Sequence, residues 1–98
     1  MIRYLSLWKG QITPEGDYRT MREIAEDVAR AHRLTIEQIT STDRRQRIAH
    51  PRQEAMAVMH ATGRYSTTQI GRFFKRDHTT VVHALKAHKA RQEGVQEG

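Results

Sequence analysis

Cysteine is absent from the 98 residues, so neither a disulfide scaffold nor a thiolate zinc finger is available, and compactness has to come from packing. No apolar run approaches the roughly 18 residues that a membrane span needs, and Met1 to Gly10 lacks the long apolar stretch and small-residue cleavage site of a signal peptide. A cytoplasmic protein with no membrane partner is expected. There is no Gly-rich phosphate loop ending in Lys-Ser/Thr, and the length suits one small domain with one core rather than a nucleotide-binding module plus a second function.

Acidic residues are scarce where basic ones are dense. Residues 41–92 hold eleven Lys/Arg and three Asp/Glu, a net +8, whereas the rest holds six and eight, a net −2, which together give the overall +6. That asymmetry fits a polyanionic partner. Nucleic acid is favoured over an acidic membrane because the charge surrounds a reading motif rather than lining one amphipathic helix; a merely solvated basic face is the bland alternative. Thirteen arginines against four lysines suit bidentate phosphate and guanine contacts, although a GC-rich genome would produce the same bias.

Punctuation and period predict five helices and no strand-forming core, hence an all-α bundle. Residues 1–19 form an N-terminal arm whose Tyr4, Leu5, Leu7 and Trp8, with turn signals at Gly10 and Pro14-Glu15-Gly16-Asp17, leave extended, hairpin and short-helix readings open. Residues 20–92 form the domain and 93–98 a flexible tail. Thr20 with Glu23 makes a capping box ahead of Met21, Ile24, Val28 and Ala31, a helix to about Arg33; Thr35 with Gln38 repeats it for a short helix to Thr40. Ser41-Thr42-Asp43 breaks the pattern, and Arg44, Arg45 and Arg47 fall in the break. A central helix is expected from about Pro51, where a missing amide proton costs nothing, to a stop at Gly63.

The segment from Ile70 to Ala84 reads as helix, tight turn, helix, and it is the most informative stretch. Ser66 with Gln69 caps the first of these helices, in which Gly71 permits close helix approach and Phe73 or Phe74 packs inward. Lys75-Arg76 supplies the turn. Asp77 is the N-cap of the last helix, whose Val81, Ala84, Leu85 and His88 form an inward stripe that leaves His78, Thr79, Thr80 and His83 on other faces. An Asp can accept from the cytosine amino group, a Thr offers a hydroxyl and a methyl, and a His offers a ring nitrogen with an apolar edge, so Asp77-His78-Thr79-Thr80 suits a major groove. The same residue types are also common simply as a cap and helix start.

Arg76-Asp77-His78-Thr79-Thr80-Val81-Val82-His83-Ala84, with Ile70-Gly71 and Phe74 before it and Ala49-His50-Pro51-Arg52-Gln53 upstream, resembles the C-terminal DNA-binding domain of DnaA, the bacterial replication initiator. The likeness covers about Thr20 to Arg91. It implies a Trp-repressor-like helix-turn-helix bundle that binds, as a monomer, a short A/T-rich box in double-stranded DNA, with Asp77, His78, Thr79 and Thr80 reading bases in the major groove. It further implies an arginine in the adjacent minor groove, for which Arg44 is the best match and Arg45 or Arg47 the alternatives. Arg45, Arg47, Arg52, Gln53, Thr67, Thr68, Lys75 and Arg76 are the implied phosphate contacts, and arginine in a narrow minor groove with amides at helix starts makes physical sense of these roles.

Three departures stand out. The link from Phe74 to Arg76 is about one residue shorter than the family's and lacks its glycines; His50 stands where arginine is frequent; Thr68 stands where a base-contacting proline is sometimes found. Without an ATPase module the chain is expected to act by occupancy, competing with a full-length initiator or controlling transcription, in association with the nucleoid. A nonspecific nucleic-acid binder, RNA included, is the alternative, although Tyr65, Phe73 and Phe74 are too few aromatics for a stacking platform. A protein-interaction module acting through the apolar arm is the other. No catalytic residue, metal or cofactor is expected: His78, His83 and His88 recur every five residues, about 140° apart on a helix, and face different directions.

Overall fold

The computed structural model describes residues 19–94, and among them it contains five helices and no strand. They are α1 (Met21–Ala31), α2 (Ile36–Ile39), α3 (Gln46–Ala61), α4 (Thr67–Phe74) and α5 (His78–Gly94). The all-α bundle is as expected, and α5 runs to Gly94. The apolar cluster of the arm lies outside the described residues. Arg19, assigned to that arm, belongs to the fold: its guanidinium pairs with Asp27 at 2.8 Å, and its carbonyl accepts the Tyr65 hydroxyl at 3.0 Å.

All three expected capping boxes form. Thr20, Thr35 and Ser66 each accept from the backbone amide three residues on, while the Glu23, Gln38 and Gln69 side chains return the bond to the cap. α1 ends two residues before the expected Arg33, because Arg33 turns left-handed (φ 59°) and the Leu34 amide folds back to the Ala29 carbonyl at 2.7 Å. That reversal buries Leu34 and sets up the Thr35 cap.

α3 corrects the sequence reading. It begins at Gln46, five residues before Pro51, with Arg45 as its N-cap and the Ala49 amide already bonded to the Arg45 carbonyl at 2.7 Å. Pro51 therefore sits inside the helix. An interior proline costs about 3 kcal/mol, and full burial of an isoleucine stabilises by about 1.5–3 kcal/mol. Ile48, 1% exposed in that first turn, supplies the burial that lets the helix form ahead of the proline. Arg47 consequently lies in the first turn of α3 rather than in the loop.

α3 packs against all four other helices, so it is the axis of the bundle. Around it close Ile24 and Val28 of α1, Ile39 of α2, Ile70 and Phe74 of α4, and Val81 of α5, all essentially without solvent contact. Phe74 takes the core position and Phe73 meets it edge-on at 5.0 Å from a half-buried site. One polar pair is built in behind: Glu54 of α3, buried, lies 2.8 Å from Nε2 of His32 at the end of α1.

Candidate nucleic-acid interface

The bend between α4 and α5 is made without glycine at the bend itself. Lys75 adopts the left-handed conformation (φ 59°, ψ 44°), its amide bonds to the Arg72 carbonyl at 3.1 Å, and the Arg76 amide reaches the Gly71 carbonyl at 2.7 Å. The shortened link thus still closes a tight turn. Gly71 permits the close approach expected of it, at the main chain that leads into α5. A Cβ there would lie 2.5 Å from the Arg76 carbonyl oxygen, so the glycine leaves room for the turn's own main chain.

α5 divides as its pattern predicts. Val81, Ala84 and His88 are buried and Leu85 half-buried, while His78, Thr79, Thr80 and His83 are exposed. At its start the Asp77 carbonyl accepts the Thr80 amide at 3.1 Å, and the Thr80 hydroxyl donates to the Asp77 carboxylate at 2.9 Å. That hydroxyl bond holds the Asp77 pKa below the ordinary aspartate value. Asp77 and Thr80 thus engage each other, whereas His78 and Thr79 stand clear at the tip.

The basic loop is a built turn. The Ser41 hydroxyl donates to the Gln38 carbonyl at 2.7 Å and accepts the Asp43 amide at 3.2 Å; the Asp43 carboxylate accepts the Arg45 amide at 2.9 Å and its guanidinium at 2.6–3.1 Å. The Arg45 side-chain bonds are the main reason that Asp43 is lowered to about 2. Arg45 is thereby tied to Asp43, with its side chain still largely exposed. Arg44, between these partners, is exposed and makes no ion pair or hydrogen bond among the described residues, and its charge is felt by Arg76. All three arginines expected here are exposed, and Arg44 is the one in the loop without an acidic partner among the described residues.

The other expected contacts separate by environment. Thr67 and Thr68 are the first two residues of α4, and the capping box satisfies the Ser66 and Gln69 amides but not theirs, leaving two N–H groups at the positive end of the helix. Lys75 and Arg47 are exposed. Arg52 is not a surface residue: it is 5% exposed, and its Nε donates to the Ile39 carbonyl at 2.8 Å. Its Nη2 and the Oε1 of Gln53 are buried without a partner among the described residues. Burial lowers the Arg52 pKa, and nearby Arg76 adds to this. Arg76 is half-buried and bonds the carbonyls of Phe74 and Ser41. Between α3 and α5 these residues border an open hollow of about 300 Å³ that also touches Thr80 and His83.

Sequence reasoning missed the pairing of Asp43 with Arg45, although an Asp two residues before an amide it can cap is a recognisable turn signal. It also missed the commitment of Arg52 and Arg76 to loop carbonyls, for which no local pattern exists. Among the described residues no three His, Asp or Glu side chains are grouped to hold a metal ion, and no helix is long and apolar enough to cross a membrane.

A capped helix, a tight turn and a second helix with a polar exposed face, beside a basic loop, define a DNA-binding helix-turn-helix domain. The family model for the bacterial dnaA protein helix-turn-helix matches residues 21–87, and the chain belongs to that family. Over 61 residues it is 44% identical to the chromosomal replication initiator protein DnaA of Francisella tularensis subsp. novicida, covering 61% of this chain and 12% of that protein. The protein of the same name from a Thermoanaerobacter species is 38% identical over 67 residues, 68% of this chain and 15% of the relative. The chain therefore spans about an eighth of the length of these relatives. No solved structure matches it significantly.

Proposed function

We propose that this domain recognises a short A/T-rich box in duplex DNA, with the start of α5 in the major groove and Arg44 in the neighbouring minor groove. The observation that carries the proposal is the exposed His78-Thr79 tip of a helix whose opposite face is locked into the core, together with Arg44, exposed in a loop bonded to Arg76 and without an acidic partner among the described residues. His78 and Thr79 supply the primary base contacts, and Asp77 and Thr80 join by exchanging their mutual bond for base edges. Arg45, Arg47, Gln53, Thr67, Thr68 and Lys75 flank the site as phosphate contacts. Arg52 and Arg76 contribute charge from behind, with their positions fixed by loop carbonyls. Reading two grooves allows one copy to be specific without a partner subunit.

Binding of this kind acts by occupancy. Its consequence at a box is to exclude or displace another reader, whether a full-length initiator or the transcription machinery.

The test compares affinities for a box-containing duplex and a scrambled one, for the parent chain and three variants. His78→Ala and Thr79→Ala are each expected to cost about 1–3 kcal/mol on the box, with loss of preference at particular base pairs. Arg47→Ala is expected to weaken both duplexes alike and to reduce the salt slope by about one. Equal losses on both duplexes for His78→Ala would remove its base-reading role. Inability of the chain to displace a full-length initiator from boxes would remove the competitor role and leave transcriptional occupancy standing.

A further inference from the structure

Arg76 joins the helix-turn-helix to the basic loop. Its Nη1 donates to the Phe74 carbonyl at 2.8 Å, at the end of α4, and its Nη2 donates to the Ser41 carbonyl at 3.0 Å, 35 residues away in sequence. From Ser41 the hydrogen bonds continue through the Asp43 amide to the Asp43 carboxylate and on to Arg45, with Arg44 held between the last two. At the other end the main chain of Arg76 is itself fixed. Its amide bonds the Gly71 carbonyl at 2.7 Å, and its carbonyl oxygen lies 2.5 Å from where Gly71 would carry a Cβ. The Arg52 guanidinium makes a second tie beside it, from α3 to the Ile39 carbonyl just ahead of the loop.

We propose that Arg76 is a positioning residue that holds the Ser41–Arg45 loop in register with α5, so that the two DNA-reading elements meet the duplex as one rigid unit. The inference rests on the proposed reading by Arg44 and α5. Two groove contacts from one small domain add usefully only if their separation is set before binding; a loose loop would have to be ordered at the expense of affinity. A guanidinium suits the task because its planar fork can serve two carbonyls at once, which a lysine ammonium does less rigidly. Half-buried and with two donors committed to main-chain carbonyls, Arg76 is better placed to brace the loop than to clamp a phosphate.

The test is a double-mutant cycle between Arg76→Met and Arg44→Ala on the box and on duplexes changed at single base pairs, with amide NMR spectra of the free variants. If Arg76→Met fails to fold, Arg76→Lys replaces it, retaining charge and one donor group. The strut predicts roughly a tenfold loss of box affinity, the scale of one base contact. Discrimination should vanish at the base pairs Arg44 reads and persist at those read by His78 and Thr79. Arg44→Ala should then cost less than about twofold further, and the Ser41–Arg45 amides of the free variant should shift and broaden. Unchanged loop amides with a fully additive Arg44→Ala cost would overturn the proposal, as would an equal loss on box and random DNA. If Arg44→Ala leaves sequence preference intact in the parent chain, the minor-groove reading fails by itself, and the loop amides alone decide whether Arg76 orders the loop.

Discussion

Gly71 and Gly63 are both glycines beside turns, yet the structure gives alanine at each a different consequence. Gly71 is helical, so alanine gains about 1 kcal/mol of helix propensity. Against that gain, its Cβ would lie 2.5 Å from the Arg76 carbonyl oxygen and 3.3 Å from the Asp77 carbonyl carbon, both main-chain atoms of the turn. Relieving such overpacking costs about 1–3 kcal/mol, and opening the turn also weakens the 2.7 Å bond from the Arg76 amide to Gly71, worth about 1 kcal/mol. The net loss for Gly71→Ala is about 1–3 kcal/mol, or roughly 5–20 °C in Tm for a domain of this size. Because the displaced atoms connect α4 to α5, DNA affinity should fall even at temperatures where the variant is folded. Gly63 has φ +78° and open space around it, so Gly63→Ala costs only the left-handed penalty of about 1 kcal/mol and should leave DNA binding intact. Circular-dichroism melts and binding titrations of both variants check this. A Gly71→Ala protein as stable as the parent, with unchanged affinity, would refute the close packing of the turn.

Lys75 occupies a left-handed site as a non-glycine residue, so Lys75→Gly should raise Tm by a few degrees, the relief of about 1 kcal/mol being partly offset by greater unfolded-state entropy. The same change should lower the magnitude of the salt slope by about one, and titrations at several salt concentrations read it. With roughly five phosphate contacts, that slope for the parent chain is expected to be about −4 to −5 in log-log form. Acid should lower stability through His50 and His88, whose pKa values are lowered first by burial and then by Arg91. The unfolded chain takes up these protons at an ordinary value near 6.5 and the folded chain only at lower pH, so stability is complete above that value and falls as pH drops through it. Melts from pH 8 to 5 should show a plateau and then a decline, steepest where both sites differ; a flat profile contradicts the assignment. Replacing both histidines with glutamine should flatten it.

Local rules were enough for much of the architecture. Each capping box is a four-residue signal whose donors and acceptors lie on one turn, which is why Thr20, Thr35 and Ser66 start helices where their sequence says they do. The inward stripe of α5 is likewise a one-helix property. Pro51 misled because its penalty is local while the burial of Ile48 that offsets it is tertiary. The same holds for the site. Exposure of His78 and Thr79 follows from period alone, but which of Arg44, Arg45 and Arg47 stays unpaired in the loop depends on Asp43 capturing Arg45 and on α3 starting early enough to take Arg47. Arg52 and Arg76 resemble surface cations in sequence and are tethered in the fold by carbonyls 13 and 35 residues distant.

The decisive experiment is selection of the purified chain on a randomised duplex pool at physiological salt, followed by sequencing of the bound fraction. Recognition through two grooves should enrich one short A/T-rich box, with its minor-groove end losing definition for Arg44→Ala and its major-groove end for His78→Ala. Binding with no enriched sequence, or an enriched sequence indifferent to both substitutions, would contradict it.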